Sequence, residues 1–167
     1  MSRSITEINQ EIVNTEASVK RDQSIHFSSG KDDWETPHKL YAALHNEFDF
    51  ELDPCCSPEN KKCDIYITTD GLTEDWLGKR VFCNPPYSNL KEWVAKCHAE
   101  SLRGSLVVML IPARTDTKVW HRYIWDNLTH KPRTGVEVRL LPGRLRFVGA
   151  KDDAPFPSAI IVFRPQP

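Results

Sequence analysis

The period of the apolar positions changes several times along the chain, and each change marks an element. Leu40, Ala43, Leu44 and Phe48 recur at three- and four-residue intervals, which predicts a helix behind Trp34-Glu35-Thr36-Pro37. Thr36 suits the N-cap and Pro37 the first helical turn. Phe48 to Leu52 alternates and ends in Asp53-Pro54, which predicts a first strand with an acid at its tip. A second β-rich run, Ile65 to Thr69, ends in Asp70-Gly71-Leu72, with Trp76 shortly after. Val81-Phe82-Cys83 is a third short strand; it must stop at Pro85-Pro86, because neither proline donates to a sheet ladder. Leu90, Trp93, Val94, Cys97 and His98 predict a helix over 89–102, with Gly104 as its stop. Leu106 to Ile111 is continuously apolar, the pattern of a strand covered on both faces. A helix over Trp120 to Leu128, an alternating strand over Val136 to Leu141 and a last strand over Ala159 to Phe163 complete the reading. Strands alternating with helices predict an α/β fold with a largely parallel sheet.

In such sheets ligands bind beyond the carboxyl ends of the strands. Asp53, Asp70 and Asn84 each follow one of three successive strands, so a parallel arrangement gathers them on one rim. The remaining composition adds bounds. The length of 167 residues suits one domain, and 40% hydrophobic and 27% charged residues are ordinary for a globular protein. No apolar run approaches the ~20 residues of a membrane span, and no secretory h-region is visible at the N-terminus. Residues 1–25 are polar and lack Trp, Phe and Tyr, which predicts a flexible arm ahead of a domain over 26–167. Five cysteines (Cys55, Cys56, Cys63, Cys83 and Cys97) form no CxxC pair, so reduced thiols of a cytoplasmic protein are expected and a metal site is not. Cys83 and Cys97 sit among apolar residues and read as small core hydrophobes.

The net charge of -1 hides an asymmetry. Residues 1–113 hold 12 Lys and Arg against 18 Asp and Glu, whereas residues 114–167 hold 10 against 5. An acidic front and basic back suit a neutral or cationic ligand at one end and phosphates at the other. Within Asn84-Pro85-Pro86-Tyr87, an amide, stiffly held carbonyls and a ring make a compact site for a flat base with an exocyclic amine. A plain Pro-Pro turn with a packed tyrosine is the alternative.

The ordered set Asp33-Trp34-Glu35-Thr36-Pro37, Leu52-Asp53-Pro54, Asp70-Gly71-Leu72 with Trp76, Asn84-Pro85-Pro86-Tyr87-Ser88, Pro112 to Thr117, Gly143 to Phe147 and Pro155-Phe156-Pro157-Ser158 resembles the phage-type DNA N6-adenine methyltransferases, over about residues 27–164. The resemblance implies a compact Rossmann-like class I methyltransferase sheet with flanking helices, and S-adenosylmethionine as methyl donor with no metal. Double-stranded DNA is the implied partner, in the cytoplasm of a bacterial host carrying a phage or prophage. Thr36 and Pro37, at the helix start, would meet the donor's methionine end. Asp53 would bind its ammonium and Asp70 its adenine amine, while Trp34 or Trp76 packs on a face of the cofactor. Asn84 and Pro85, stiffened by Pro86, would accept the two N6–H groups of the target adenine, localising the lone pair for direct in-line attack. Tyr87 would stack on the flipped base, with Ser88 secondary.

Two features depart from the wider methyltransferase pattern. The turn after the first strand, Cys55 to Asn60, lacks glycine, which leaves the ribose to Glu59 or Asn60. Only residues 54–83 separate Asp53 from Asn84, too few for a separate target-recognition domain. Sequence reading would then fall to the basic C-terminal part, with Arg139, Arg144 and Arg146 facing DNA and Arg114 near the site or paired with Asp116. The acceptor geometry alone serves any planar amine, including cytosine N4, an RNA base or a protein glutamine amide. A silent DNA-binding accessory protein of the same fold is the non-enzymatic reading.

Overall fold

The computed structural model describes residues 34–166. The expected N-terminal arm over 1–25, and the start of the domain expected from residue 26, lie outside the described residues. In chain order the elements are helix α1 (His38–Phe48), strands β1 (Leu52–Asp53), β2 (Ile65–Tyr66) and β3 (Arg80–Cys83), helix α2 (Leu90–Leu102), strand β4 (Leu106–Pro112), helix α3 (Lys118–Tyr123), strands β5 (Trp125–Asp126), β6 (Lys131–Pro132), β7 (Val136–Leu140) and β8 (Ser158–Phe163). A single 3-10 turn, Tyr87–Asn89, precedes α2.

Six strands form one sheet in the order β2-β1-β3-β4-β8-β7. The pairs β2–β1, β1–β3 and β3–β4 are parallel, while β8 runs antiparallel to both β4 and β7. The sheet is therefore mixed but mostly parallel, with helices on both faces. Side-chain alternation divides the core accordingly. Phe82, Val108, Leu110, Ile160 and Val162 pack with Leu40, Leu44 and Phe48 of α1 on one face. Val81, Cys83, Val107, Met109, Ile111 and Ile161 pack with Trp93, Val94 and Cys97 of α2 and Trp120 of α3 on the other. Because both faces are covered, β4 and β8 read as unbroken apolar runs.

Four expectations need correction. The first strand is shorter than its alternating pattern: Phe48 belongs to α1, and Asp49 ends that helix in the left-handed region (φ 53°). The second strand keeps only Ile65–Tyr66 and lies exposed at the sheet edge. The helix expected over Trp120 to Leu128 stops at Tyr123, and the chain turns into a small β5–β6 hairpin. Leu128, 92% exposed, sits in the connection of that hairpin, so the apparent helical spacing ended on a surface side chain. Finally, the N-cap of α1 is Pro37, without a side-chain cap hydrogen bond, rather than Thr36.

Candidate active site at the sheet edge

The strand order reverses between β1 and β3, since the chain adds β2 on one side of β1 and β3 on the other. A crevice opens at the carboxyl ends of these two strands, where open α/β sheets bind ligands. It is open to solvent and is lined by Trp34, Glu35, Thr36, Asp53, Cys55, Cys56, Asn60, Lys62, Phe82, Asn84 and Pro86.

One wall is the end of β3. Pro85 and Pro86 carry the chain off the sheet, which leaves the Asn84 side chain at the crevice. Its amide nitrogen donates to the Trp34 carbonyl and to Thr36 Oγ1, the latter at 3.0 Å. The Tyr87 hydroxyl donates to Asn84 Oδ1 at 3.1 Å. Thr36 is 2% exposed, so its hydroxyl meets Asn84 instead of capping α1. The segment 34–36 forms a strap over the rim, tied down by the Val148 N–H donating to the Glu35 carbonyl at 3.0 Å. Tyr87 is only 7% exposed. Its ring stacks against Trp34 (6.5 Å between centroids, 17° between planes) and meets Phe156 edge-on at 5.5 Å. Phe147 also packs on Trp34, at 5.1 Å.

The other wall is β1 and the glycine-free loop behind it. Asp53 is 4% exposed. Its Oδ2 accepts from the Lys62 N–H at 3.0 Å and its Oδ1 from the Cys55 N–H at 3.4 Å. Burial raises the Asp53 carboxyl above its ordinary range, and the two backbone donors only partly oppose this. The Lys62 ammonium lies in the crevice wall and pairs with Glu35 at 2.8 Å. Cys55 faces Cys83 with sulfurs 3.6 Å apart, and burial pushes both thiols well above their ordinary range. Cys56 is pushed up to about 12 by the same desolvation. These are protonated, unreactive thiols.

Several residues singled out in the sequence stand elsewhere. Asp70 does not line the crevice: it is exposed, adopts φ 59° and uses its carbonyl to close a turn onto Thr73 and Glu74. Gly71 beside it is needed for close approach, since a Cβ there would meet the Pro54 carbonyl oxygen at 2.0 Å. Trp76 is fully buried, donates to the Gly71 carbonyl at 3.1 Å and stacks on Trp93, so it presents no face to a ligand. Pro37 and Pro85 are buried beside the crevice, and Ser88 is exposed on the 3-10 turn. Of the two ribose candidates, Asn60 lines the crevice and Glu59 does not. Arg139 forms a two-pronged ion pair with Glu47 (2.6 and 2.7 Å), pairs with Glu137 and lies over the Phe48 ring. It is a structural clamp and not a solvent-facing cation. Arg146 pairs with Asp153 at 2.9 Å. Arg114 and Arg144 are exposed, and among the described residues neither forms an ion pair, Arg114 with Asp116 included. Glu35, Lys62, Phe147 and Phe156 were not assigned roles from the sequence. Phe156 stood within the Pro155-to-Ser158 motif, but nothing local to Lys62 announced a crevice residue. No group of His, Cys, Asp and Glu that could hold a metal occurs among the described residues. No helix among them is long and apolar enough to cross a membrane.

The chain is a mixed α/β domain with a crevice at a topological switch point of its sheet. The chain belongs to the family described as DNA N-6-adenine-methyltransferase (Dam), which matches residues 23–165. It is 38% identical over 95 residues to the DNA N-6-adenine-methyltransferase of Haemophilus phage HP1 (strain HP1c1), covering 54% of this chain and 55% of that protein. It is 33% identical over 91 residues to the DNA N-6-adenine-methyltransferase of Escherichia phage T1, covering 52% of this chain and 38% of that protein. The matched stretch is thus about half or less of the length of these relatives. No solved structure matches the chain.

Proposed function

We propose that the chain is a DNA adenine-N6 methyltransferase with a trimmed class I methyltransferase sheet, and that the crevice holds both the methyl donor and the target base. The observation that carries this reading is that Asn84 and the buried carboxylate Asp53 line one crevice, in a chain of this family. The residues present fit the donor's amino-acid end. Asp53 is a desolvated carboxyl whose charged form an ammonium would stabilise, and a donor carboxylate would share the Lys62 ammonium with Glu35. S-adenosylmethionine, when bound, supplies an electrophilic methyl carbon on a sulfonium sulfur. Trp34, Asp53 and Asn60 remain as candidates for holding it; the Thr36 hydroxyl is given to Asn84, and Asp70 and Trp76 lie outside the crevice.

On the acceptor side, Asn84 Oδ1 has two lone pairs. Tyr87 uses one, which leaves one for an N6–H, with the Pro85 carbonyl as second acceptor. Acceptors fixed before the base arrives draw the amine toward tetrahedral geometry without reorganising in the reaction. A base that stacks on Tyr87 requires the Trp34 ring to swing off Tyr87, while the strap backbone stays on Asn84. That base must first leave the duplex. The loops after β4 and β7 leave from the same sheet edge as Asn84 and carry the exposed Arg114 and Arg144. These two cations are the candidates for phosphate contact.

Transfer of labelled methyl from S-adenosylmethionine to unmethylated double-stranded DNA, followed by nucleoside analysis, tests the reading. Label in N6-methyladenine is expected. Label confined to cytosine, RNA or protein would move the substrate, and donor binding without transfer to any of them would leave a silent DNA-binding protein.

A further inference from the structure

We infer that the Trp34 carbonyl sets which way the Asn84 carboxamide faces and that Thr36 is a positioning group that holds it there. This deepens the proposed function and rests on it. The two ends of a carboxamide are nearly the same size, so packing alone hardly separates them. Their chemistry is opposite: turned by half a rotation, Asn84 would show an N–H to an incoming N6–H, donor against donor. One contact selects the orientation and two hydroxyls, each able to donate or accept, hold it. The Trp34 carbonyl can only accept, so the amide nitrogen must face it. Thr36 Oγ1 accepts the second amide proton at 3.0 Å. With both protons bound on the strap side, Oδ1 is left on the opposite side, where the Tyr87 hydroxyl donates to it.

Position and burial agree with this role. Thr36 immediately precedes the N-cap of α1, which carries no side-chain cap bond, so capping does not claim the hydroxyl. Thr36 is almost wholly buried, and water does not compete well for its oxygen. The strap is itself held at Glu35 by Val148 and at Pro37 by the first turn of α1, through Tyr41 N–H to the Pro37 carbonyl at 3.0 Å. Thr36 thus acts through Asn84, even though it also lines the crevice.

Thr36→Val keeps the shape and removes the acceptor, and Thr36→Ser restores it. For Thr36→Val, kcat for methyl transfer is expected to fall ~10–100-fold, the scale of a misplaced reacting group, with donor KM nearly unchanged. Thr36→Ser is expected to recover most of that loss. A second readout needs no activity. In side-chain amide NMR spectra, the Asn84 pair, identified by its loss in Asn84→Ala, should show two slowly exchanging protons in the wild type. One of these should shift and exchange faster in Thr36→Val. Wild-type kcat in Thr36→Val overturns the inference, as does a Thr36→Ser variant as slow as Thr36→Val. So does a rise in donor KM at constant kcat, which would assign the hydroxyl to the donor. If Thr36→Val does not fold, rapid exchange of both wild-type amide protons is the overturning result and their protection the supporting one. A wild type that methylates no adenine counts against the proposed function, and the amide spectra still decide the placement of Asn84.

Discussion

The two walls of the crevice are built by different means. On the Asp53 wall the carboxylate's own contacts are local: it is wrapped by N–H groups two and nine residues further along the chain. On the Asn84 wall they are long-range: the amide reaches 48 and 50 residues back, to Thr36 and Trp34. A local wrap forms with its loop and costs little loop-closure entropy, whereas the long-range one exists only when the sheet and strap are assembled. The local wall can therefore shape a site for a ligand that is the same in every reaction. The long-range wall can couple acceptor geometry to closure of the strap.

Removing the acceptor group tests this contrast most severely. In Asn84→Ala, methyl transfer is expected to fall ~100–1,000-fold, as for loss of one preorganised electrostatic partner. Donor affinity measured by calorimetry should be nearly unchanged. A parallel collapse of donor binding would abolish the division into two walls.

Asp53→Asn should do the reverse, weakening donor binding ~30-fold or more by removing one charge of a buried pair. Stability should change little. The folded chain binds the Asp53 proton more tightly than the unfolded chain does. Its stabilising share is thus present below the ordinary value of 3.8 and is lost as pH rises through the raised folded value. Above that range the charged Asp53 burdens the free protein, but an Asn there has one oxygen for the Lys62 and Cys55 N–H groups, so Tm of Asp53→Asn should stay within ~3 °C of wild type. For the same reason, wild-type donor affinity should be flat at high pH and fall as acid protonates Asp53. Thermal melts and calorimetry across pH check both signs.

A smaller effect separates the arginines. Arg144→Ala should weaken DNA binding ~3–10-fold and lower the salt slope by about one. Arg139→Ala should instead lower Tm, because it strips Glu47 of its partner and Glu137 of one of its two, and leave the salt slope unchanged. Equal salt slopes for both variants would refute the assignment of Arg139 as a clamp. The smallest change is expected at Leu128→Ser, far from either wall in the β5–β6 connection: Tm and transfer should stay near wild type, within ~0.5 kcal/mol. A large loss there would reveal a role for the hairpin that the crevice does not need.

Some features followed from local pattern because their physics is local. The double proline ends β3 wherever that strand lies, and continuous apolarity in β4 and β8 requires cover on both faces. Asp53 and Asn84 share a rim because they follow parallel strands, and this was legible as soon as the strands were. Asp70 failed the same argument. Its strand is two residues long, and a left-handed turn takes its carbonyl and not its carboxylate. The Asp70-Gly71-Leu72 motif owes its glycine to the approach of Pro54, a contact that no spacing rule contains.

Thr36 and Thr117 show where the boundary lies. Each precedes a helix, and each fits the N-cap preference of threonine. Thr117 does cap, accepting from the Trp120 N–H at 3.4 Å. Thr36 gives its oxygen to Asn84. The sequence by itself determined the alternation of strands and helices, the stop after β3 and two of the polar tips, because period, proline geometry and apolar runs act within a few residues. Only the tertiary structure decided which hydroxyl caps and which orients an amide, which arginine is clamped, and which ring covers Tyr87. Those outcomes depend on groups brought together from distant parts of the chain, competing for the same lone pairs and the same buried surface.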